Sequence, residues 1–66
     1  MKKINEKARD WRNKKDLTLA EAASILELST TYVWELENER KGFTTHVIKK
    51  YLAADPKSFK PADFYQ

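Results

Sequence analysis

Few side chains of this 66-residue chain could carry acid–base or nucleophilic chemistry. The chain contains no cysteine, one histidine and one glycine, so it lacks the residues for a thiolate centre, a histidine metal cluster or a glycine-rich phosphate loop. Glu35 and Glu39 are spaced i, i+4, which is more typical of a solvated helix face, or of pairing with Arg40 or Lys41, than of a catalytic pair. His46 is expected to be a surface residue. An enzyme is therefore the weakest functional class, and no cofactor, metal or small-molecule ligand is expected.

The elements that must position any recognition chemistry are two short helices, predicted at about 19–26 and 30–38. Thr18 and Glu21 form a capping box at the start of the first helix. Ser29 is the expected N-cap of the second helix. Helices this short cannot stand alone in water, so their apolar residues must share one buried face: Ala22, Ala23, Leu26, Leu28, Val33 and Leu36. Two helices joined in this way have the form of a helix-turn-helix, which indicates DNA binding.

Three further elements are predicted around this pair. The N-terminal segment is expected to be a basic amphipathic helix that ends near Lys15. A helix over about 45–54 follows, capped by Thr44 or Thr45, and Pro61 opens a last short turn. Gly42, the one glycine, is expected to adopt a positive φ in the turn after the second helix. The predicted fold is all-α, a compact bundle of about five short helices forming a single domain over 1–66.

The charge of the chain is unevenly distributed. Its net charge is +3, but residues 1–16 carry +4, residues 17–39 carry −5 and residues 40–66 carry +4. Because the central helices are acidic, attraction to DNA phosphates must come from flanking bases, chiefly Lys14, Lys15, Arg40, Lys41, Lys49 and Lys50. The first ten residues lack the apolar segment typical of a secretory leader, and no apolar run approaches the ~20 residues that span a bilayer, so a soluble, cytoplasmic protein without membrane partners is expected.

With the helix-turn-helix motif placed at 19–38, Arg12 lies seven residues before it, and Ala23, Val33, Leu36 and the Glu37-Asn38 pair lie within it. On these positions the chain resembles the Cro/CI repressor-like helix-turn-helix proteins of phages and bacteria, also called Xre-like, most strongly from residue 12 to residue 42 and more loosely from there to residue 65. Two positions depart from the family pattern. Glu27 stands where a glycine usually ends the first helix in the left-handed conformation, and Leu19 stands where a glutamine commonly contacts phosphate. The resemblance implies a lambda-repressor-like domain of the kind found in small Cro-type phage repressors.

The resemblance also implies roles for particular residues. Residues on the outer face of the second helix would contact base edges in the major groove: Thr30, Thr31, Trp34 and Glu35. Six others would contact phosphates: Ser29, Tyr32, Asn38, Arg40, Lys41 and Thr44. Arg12 and Glu37 would form a partly buried ion pair that joins the first helix to the reading helix.

Other interpretations of these residues remain open at this stage. Trp34 could instead pack on a neighbouring helix, and Glu35 could be solvated or paired. The lysines could serve only solubility. Five aromatics are expected in the core and the C-terminal packing: Trp11, Phe43, Phe59, Phe64 and Tyr65. Since the chain has eight aromatics, more than a small core easily hides, the tail over 59–66 is also a candidate homodimer contact.

Two functional classes follow from these observations. The first is a sequence-specific double-stranded DNA-binding transcriptional regulator, expected to be a repressor. It would bind a pseudo-palindromic operator as a homodimer, with its reading helices ~34 Å apart. The second is a helical protein-interaction module of the antitoxin or adaptor kind, and an excision or architectural DNA-binding factor lies between the two. Salt dependence separates them, because phosphate binding weakens steeply as salt rises.

Overall fold

A computed structural model describes residues 3–64 of the chain. Within this range it is all-helical, as predicted, with no strand, and its elements are α1 (Ile4–Lys14), α2 (Leu19–Leu26), α3 (Thr30–Glu37), α4 (Thr45–Ala54) and a 3-10 turn (Pro61–Asp63). The expected fifth helix is thus one turn of 3-10 helix. Over the same range, the chain forms no helix with the length and apolar character needed to cross a membrane.

The helix starts follow from hydroxyl N-caps. The Thr18 hydroxyl accepts a hydrogen bond from the Glu21 amide at 3.1 Å, and the Glu21 carboxylate accepts one from the Thr18 amide at 2.8 Å, which completes the capping box. Ser29 accepts from the Tyr32 amide at 3.1 Å and so caps α3. Thr44, rather than Thr45, caps α4. All three predicted starts are therefore correct.

The helix ends differ from prediction in one informative way. Gly42 does not have a positive φ, so that expectation was wrong. The left-handed residues are instead three acids, Asp16, Glu27 and Glu39, at φ 57°, 58° and 60°. Each follows a helix in a Schellman pattern; after α2, for example, the Leu28 amide bonds the Ala23 carbonyl at 2.9 Å. Because Glu39 already reverses the chain after α3, the turn does not need a left-handed Gly42.

The core lies where the four α-helices meet. Helix α2 packs against α3 and α4, and α1 packs against α3. The predicted apolar face between α2 and α3 is present, with Leu28 half-buried and the rest buried. The main core cluster consists of Ala8, Trp11, Ala22, Ala23, Leu26, Val33, Leu36, Val47, Tyr51 and Phe59.

Aromatic residues of the tail close this core within one chain. Phe59 is only 1% exposed, with its ring centroid 5.4 Å from that of Trp11 and 5.2 Å from that of Tyr51. Phe64 is half-buried, 5.7 Å from Phe43. Phe59 and Phe64 thus contribute to the packing of the chain itself, as predicted, and the dimer contact over 59–66 stays a prediction. Tyr65, also assigned to this packing, lies outside the described residues.

Candidate nucleic-acid interface

Helix α3 is divided into an inward and an outward face. On the inward face Val33 and Leu36 are completely buried, and Glu37 is only 3% exposed. The outward face carries Thr30, Thr31 and Trp34. None of these three outward residues belongs to the core cluster.

The buried carboxylate of Glu37 fixes the end of α3 to α1. Arg12 donates to it through Nε at 2.9 Å and through Nη2 at 3.1 Å, a bidentate pair of the kind the resemblance implied. The same guanidinium donates through Nη1 to the Leu17 carbonyl at 3.0 Å. Arg12 thereby ties together α1, the α1–α2 connector and the last residue of α3.

Two further residues of α1 meet the same point, and sequence reasoning missed both. Arg9 donates to the Glu37 carbonyl at 2.9 Å, and its Nε lies 3.8 Å from the carboxylate. Asn5, which is buried, donates to that carbonyl at 3.4 Å. Residues 5, 9 and 12 have the i, i+4, i+7 spacing of one helix face, and that polar stripe was the signal available in the sequence.

The four predicted base-reading residues lie together on α3. Thr30 and Thr31 are exposed in its first turn, Trp34 is 43% exposed one turn later, and Glu35 is half-buried beside it. Among the described acids, Glu35 is one whose carboxylate makes no ion pair. The surface therefore presents two hydroxyls, an indole and a carboxylate, which together can donate to, accept from and pack against base edges.

The six predicted phosphate contacts differ in how freely they can bind. Ser29 and Thr44 use their hydroxyl oxygens as N-caps, which leaves each hydroxyl hydrogen to donate. Tyr32 is half-buried against the core. Asn38 donates through Nδ2 to the Trp34 carbonyl at 2.8 Å, so it mainly caps the end of α3. Arg40 and Lys41 follow α3 and are exposed; neither forms an ion pair with an acid in the described range 3–64.

Trp34 lies beside Arg40, a contact that was not considered from the sequence. The guanidinium carbon of Arg40 lies 5.7 Å from the centroid of the Trp34 ring. This contact crosses the turn that ends α3, so the helical spacing rules used on the sequence could not reveal it. An arginine over an indole face at this distance is within the range of a cation–π interaction.

One of the other flanking lysines, Lys15, is partly neutralised within the domain. Lys15 lies 3.2 Å from the carboxylate of Asp55, which also accepts from the Ser58 hydroxyl and from the Trp11 indole. These hydrogen bonds, that of Ser58 first and that of Trp11 next, hold the pKa of Asp55 well below its usual range. Lys15 is therefore a weaker source of phosphate attraction than its charge suggests.

Lys49 and Lys50 lie on α4 and line a shallow groove that also includes Glu27 and His46. His46 is exposed, as expected. Because this groove lies beside the end of α2, it brings two cations close to the α2–α3 turn. Their positive charges partly offset the negative charge of Glu27 at the α2–α3 turn.

Comparisons of the chain with protein-family models, with curated proteins and with solved structures find no match. The features of the molecule that bear on its function are the geometry of α3, the caps beside it and the distribution of charge.

Proposed function

We propose that this protein is a sequence-specific double-stranded DNA-binding regulator of transcription, a repressor that binds a pseudo-palindromic operator as a dimer. In this proposal α2 and α3 form the helix-turn-helix of a lambda-repressor-like domain. The observation that carries the proposal is the division of α3. Its inward face is held by Val33, Leu36 and the Arg12–Glu37 pair, while its outward face presents polar groups that the fold does not use.

Base recognition would come from the first turns of α3 lying in the major groove. The hydroxyls of Thr30 and Thr31 can donate to or accept from base edges, and their methyl groups can contact the methyl group of thymine. The Glu35 carboxylate can accept from cytosine N4. Trp34 adds apolar surface on the same face. These residue types favour a site containing thymine and cytosine on the contacted edges.

Phosphate contacts would flank the reading helix at both ends. The first amides of an α-helix lack an intrahelical acceptor, and Ser29 takes only that of Tyr32, so others remain for a phosphate. Thr44 can add a hydroxyl donor. At the other end Arg40 and Lys41 provide charge beside α3. Contacts of this kind fix the orientation of the helix in the groove.

Acidic residues limit the affinity of a single copy. Arg12 neutralises Glu37, and Lys3 lies 3.2 Å from Glu39, but the negative charges of Glu21 and Glu27 remain exposed in the central segment. Since DNA is a polyanion, these charges oppose binding. Two copies on one operator would double the favourable contacts, which is why the proposal includes a dimer.

A protein-interaction module is the second candidate, and the same acidic segment favours it. Ile25 is 48% exposed and Trp34 is 43% exposed, and these are the large apolar side chains of the described range that face solvent most. A basic partner protein could cover such a surface. This candidate predicts no steep loss of DNA affinity with salt, because it predicts no specific DNA binding.

The deciding experiment is selection of binding sites from random duplex DNA by the purified protein at two salt concentrations. The proposal expects an inverted repeat whose enrichment is lost for Thr31→Ala and retained for Ser24→Ala, a matched loss of an exposed hydroxyl on α2. Circular dichroism should show both variants folded. Salt-sensitive binding without an enriched sequence would instead indicate an architectural factor. No DNA binding by folded protein would refute the proposal and favour a protein partner.

A further inference from the structure

Building on the proposed function, we propose that Trp34 is a positioning residue. Its indole holds the guanidinium of Arg40 at the end of α3, where Arg40 donates two hydrogen bonds to one phosphate of the DNA backbone. This assigns Trp34 a role different from base reading. It also makes the Trp34–Arg40 pair a single recognition unit.

The backbone after α3 places Arg40 beside Trp34. The Glu35 carbonyl accepts from the amide of Arg40 at 2.8 Å and from that of Lys41 at 3.3 Å. Glu39 supplies the left-handed residue at φ 60°, and Asn38 closes the turn through its bond to the Trp34 carbonyl. The Cα of Arg40 is thus fixed by main-chain hydrogen bonds, independently of its side chain.

The side chain of Arg40 is then directed by the indole. Its guanidinium carbon lies 5.7 Å from the ring centroid, and no acid within residues 3–64 forms an ion pair with it. Its sequence neighbour Glu39 is paired with Lys3 and does not compete for it. A guanidinium that lies over a ring uses no N–H donor in a hydrogen bond to it, so its fork of donors stays available to match two phosphate oxygens.

Position also favours a phosphate as the acceptor. Arg40 lies beyond the last residue of α3, whereas the N-terminal residues of a recognition helix contact base edges. Holding a long side chain in its bound conformation before binding reduces the entropy lost on binding, an effect worth about two- to tenfold in affinity. Trp34 would therefore increase the affinity for DNA by holding Arg40 in place.

A double-mutant cycle tests this proposal. The dissociation constants of wild type, Trp34→Ala, Arg40→Ala and the double variant would be measured by fluorescence anisotropy on the selected duplex at several salt concentrations. We expect Arg40→Ala to weaken binding of the dimer about tenfold or more, and the slope of log K against log salt to become shallower by about two, because each of the two copies loses one phosphate contact. Trp34→Ala should weaken it about two- to tenfold, and the double variant should be no weaker than Arg40→Ala.

Two controls separate this role from general effects. Trp34→Phe keeps an aromatic face and should retain most of the affinity, and Lys57→Ala removes an exposed charge after α4 and should change the affinity little. Both Trp34 and Arg40 are exposed, so all variants should remain folded.

The outcomes that overturn the proposal are distinct from failure of the proposed function. Additive effects of Trp34→Ala and Arg40→Ala would show that the indole contacts DNA itself. A loss of base preference at one position in Arg40→Ala would show a base contact in place of a phosphate contact. If wild type binds no duplex at all, both proposals fail. If wild type binds and the effects are additive, only the positioning role fails.

Discussion

Glu37→Gln is the perturbation that best tests how α3 is fixed to the domain. The carboxylate is 3% exposed and accepts two hydrogen bonds from Arg12, whose side chain is 17% exposed. Glutamine keeps the shape of glutamate but loses its charge and turns one oxygen into an N–H₂ group. The N–H₂ group would face the guanidinium of Arg12, and no hydrogen bond can form between them because both groups are donors. Arg12 would then keep its charge with no carboxylate partner, its acceptors being the Leu17 carbonyl and at most the one remaining side-chain oxygen.

The expected cost follows from this geometry. Removing one partner of a buried ion pair costs about 3–5 kcal/mol, because the other charge is left unpaired. Arg12 is not fully buried and keeps its bond to Leu17, so the cost should be reduced to about 2–4 kcal/mol. A chain of this length has a total unfolding free energy of about 3–10 kcal/mol. The variant should therefore be partly unfolded at room temperature or have a Tm lower by roughly 10–30 °C.

Urea unfolding followed by circular dichroism measures this cost. Glu35→Gln is the matched control, since it is the same substitution in the same helix on a carboxylate without an ion pair, and it should change the free energy of unfolding by less than about 0.5 kcal/mol. Replacing both Arg12 and Glu37 by methionine should restore much of the lost stability, because neither charge is then left unpaired. A Glu37→Gln protein within about 0.5 kcal/mol of wild type would refute the reasoning.

Three more predictions follow from the helix ends and the core. Glu27→Gly should raise the free energy of unfolding by about 1 kcal/mol in urea titrations, since glycine adopts a left-handed φ without strain. Glu27→Ala should give no such increase, and equal stability of the two variants would contradict the prediction. Phe59→Ala should cost about 3–5 kcal/mol and abolish the cooperative thermal transition, and retention of a sharp transition would show that the aromatic cluster contributes little. The pKa of Asp55 is depressed in the folded state, so its stabilisation is present above about pH 4 and lost as the pH falls below that value. Asp55→Asn should give a shallower acid limb in urea titrations from about pH 2 to pH 6, and parallel limbs would exclude this role.

The parts of the fold that the sequence predicted correctly depend on local interactions. The N-caps at Thr18, Ser29 and Thr44 each involve a hydroxyl and an amide three residues later. Such contacts are readable from a short window of sequence. The buried apolar stripes are also local, because the helical period alone determines which residues share a face.

The parts that the sequence did not predict depend on contacts between distant residues or across turns. Asn5 and Arg9 are polar residues on a basic helix, and only the packing of α1 on α3 brings them to Glu37. Arg40 reaches Trp34 because the chain reverses at Glu39. A positive φ was predicted at Gly42 because glycine adopts it most easily. The hydrogen bonds that end α3 instead place Glu39 in that conformation.

In the proposed function, the division of α3 would also separate the residues needed for stability from those needed for recognition, in a domain with little stability to lose. Val33, Leu36 and Glu37 are fully engaged within the fold, so substitutions there alter binding by unfolding the protein. Thr30, Thr31 and Trp34 are exposed, and changes there leave the core intact. A domain of this size can therefore acquire a new binding preference by changing its outward residues alone, provided that the inward anchors of α3 are kept.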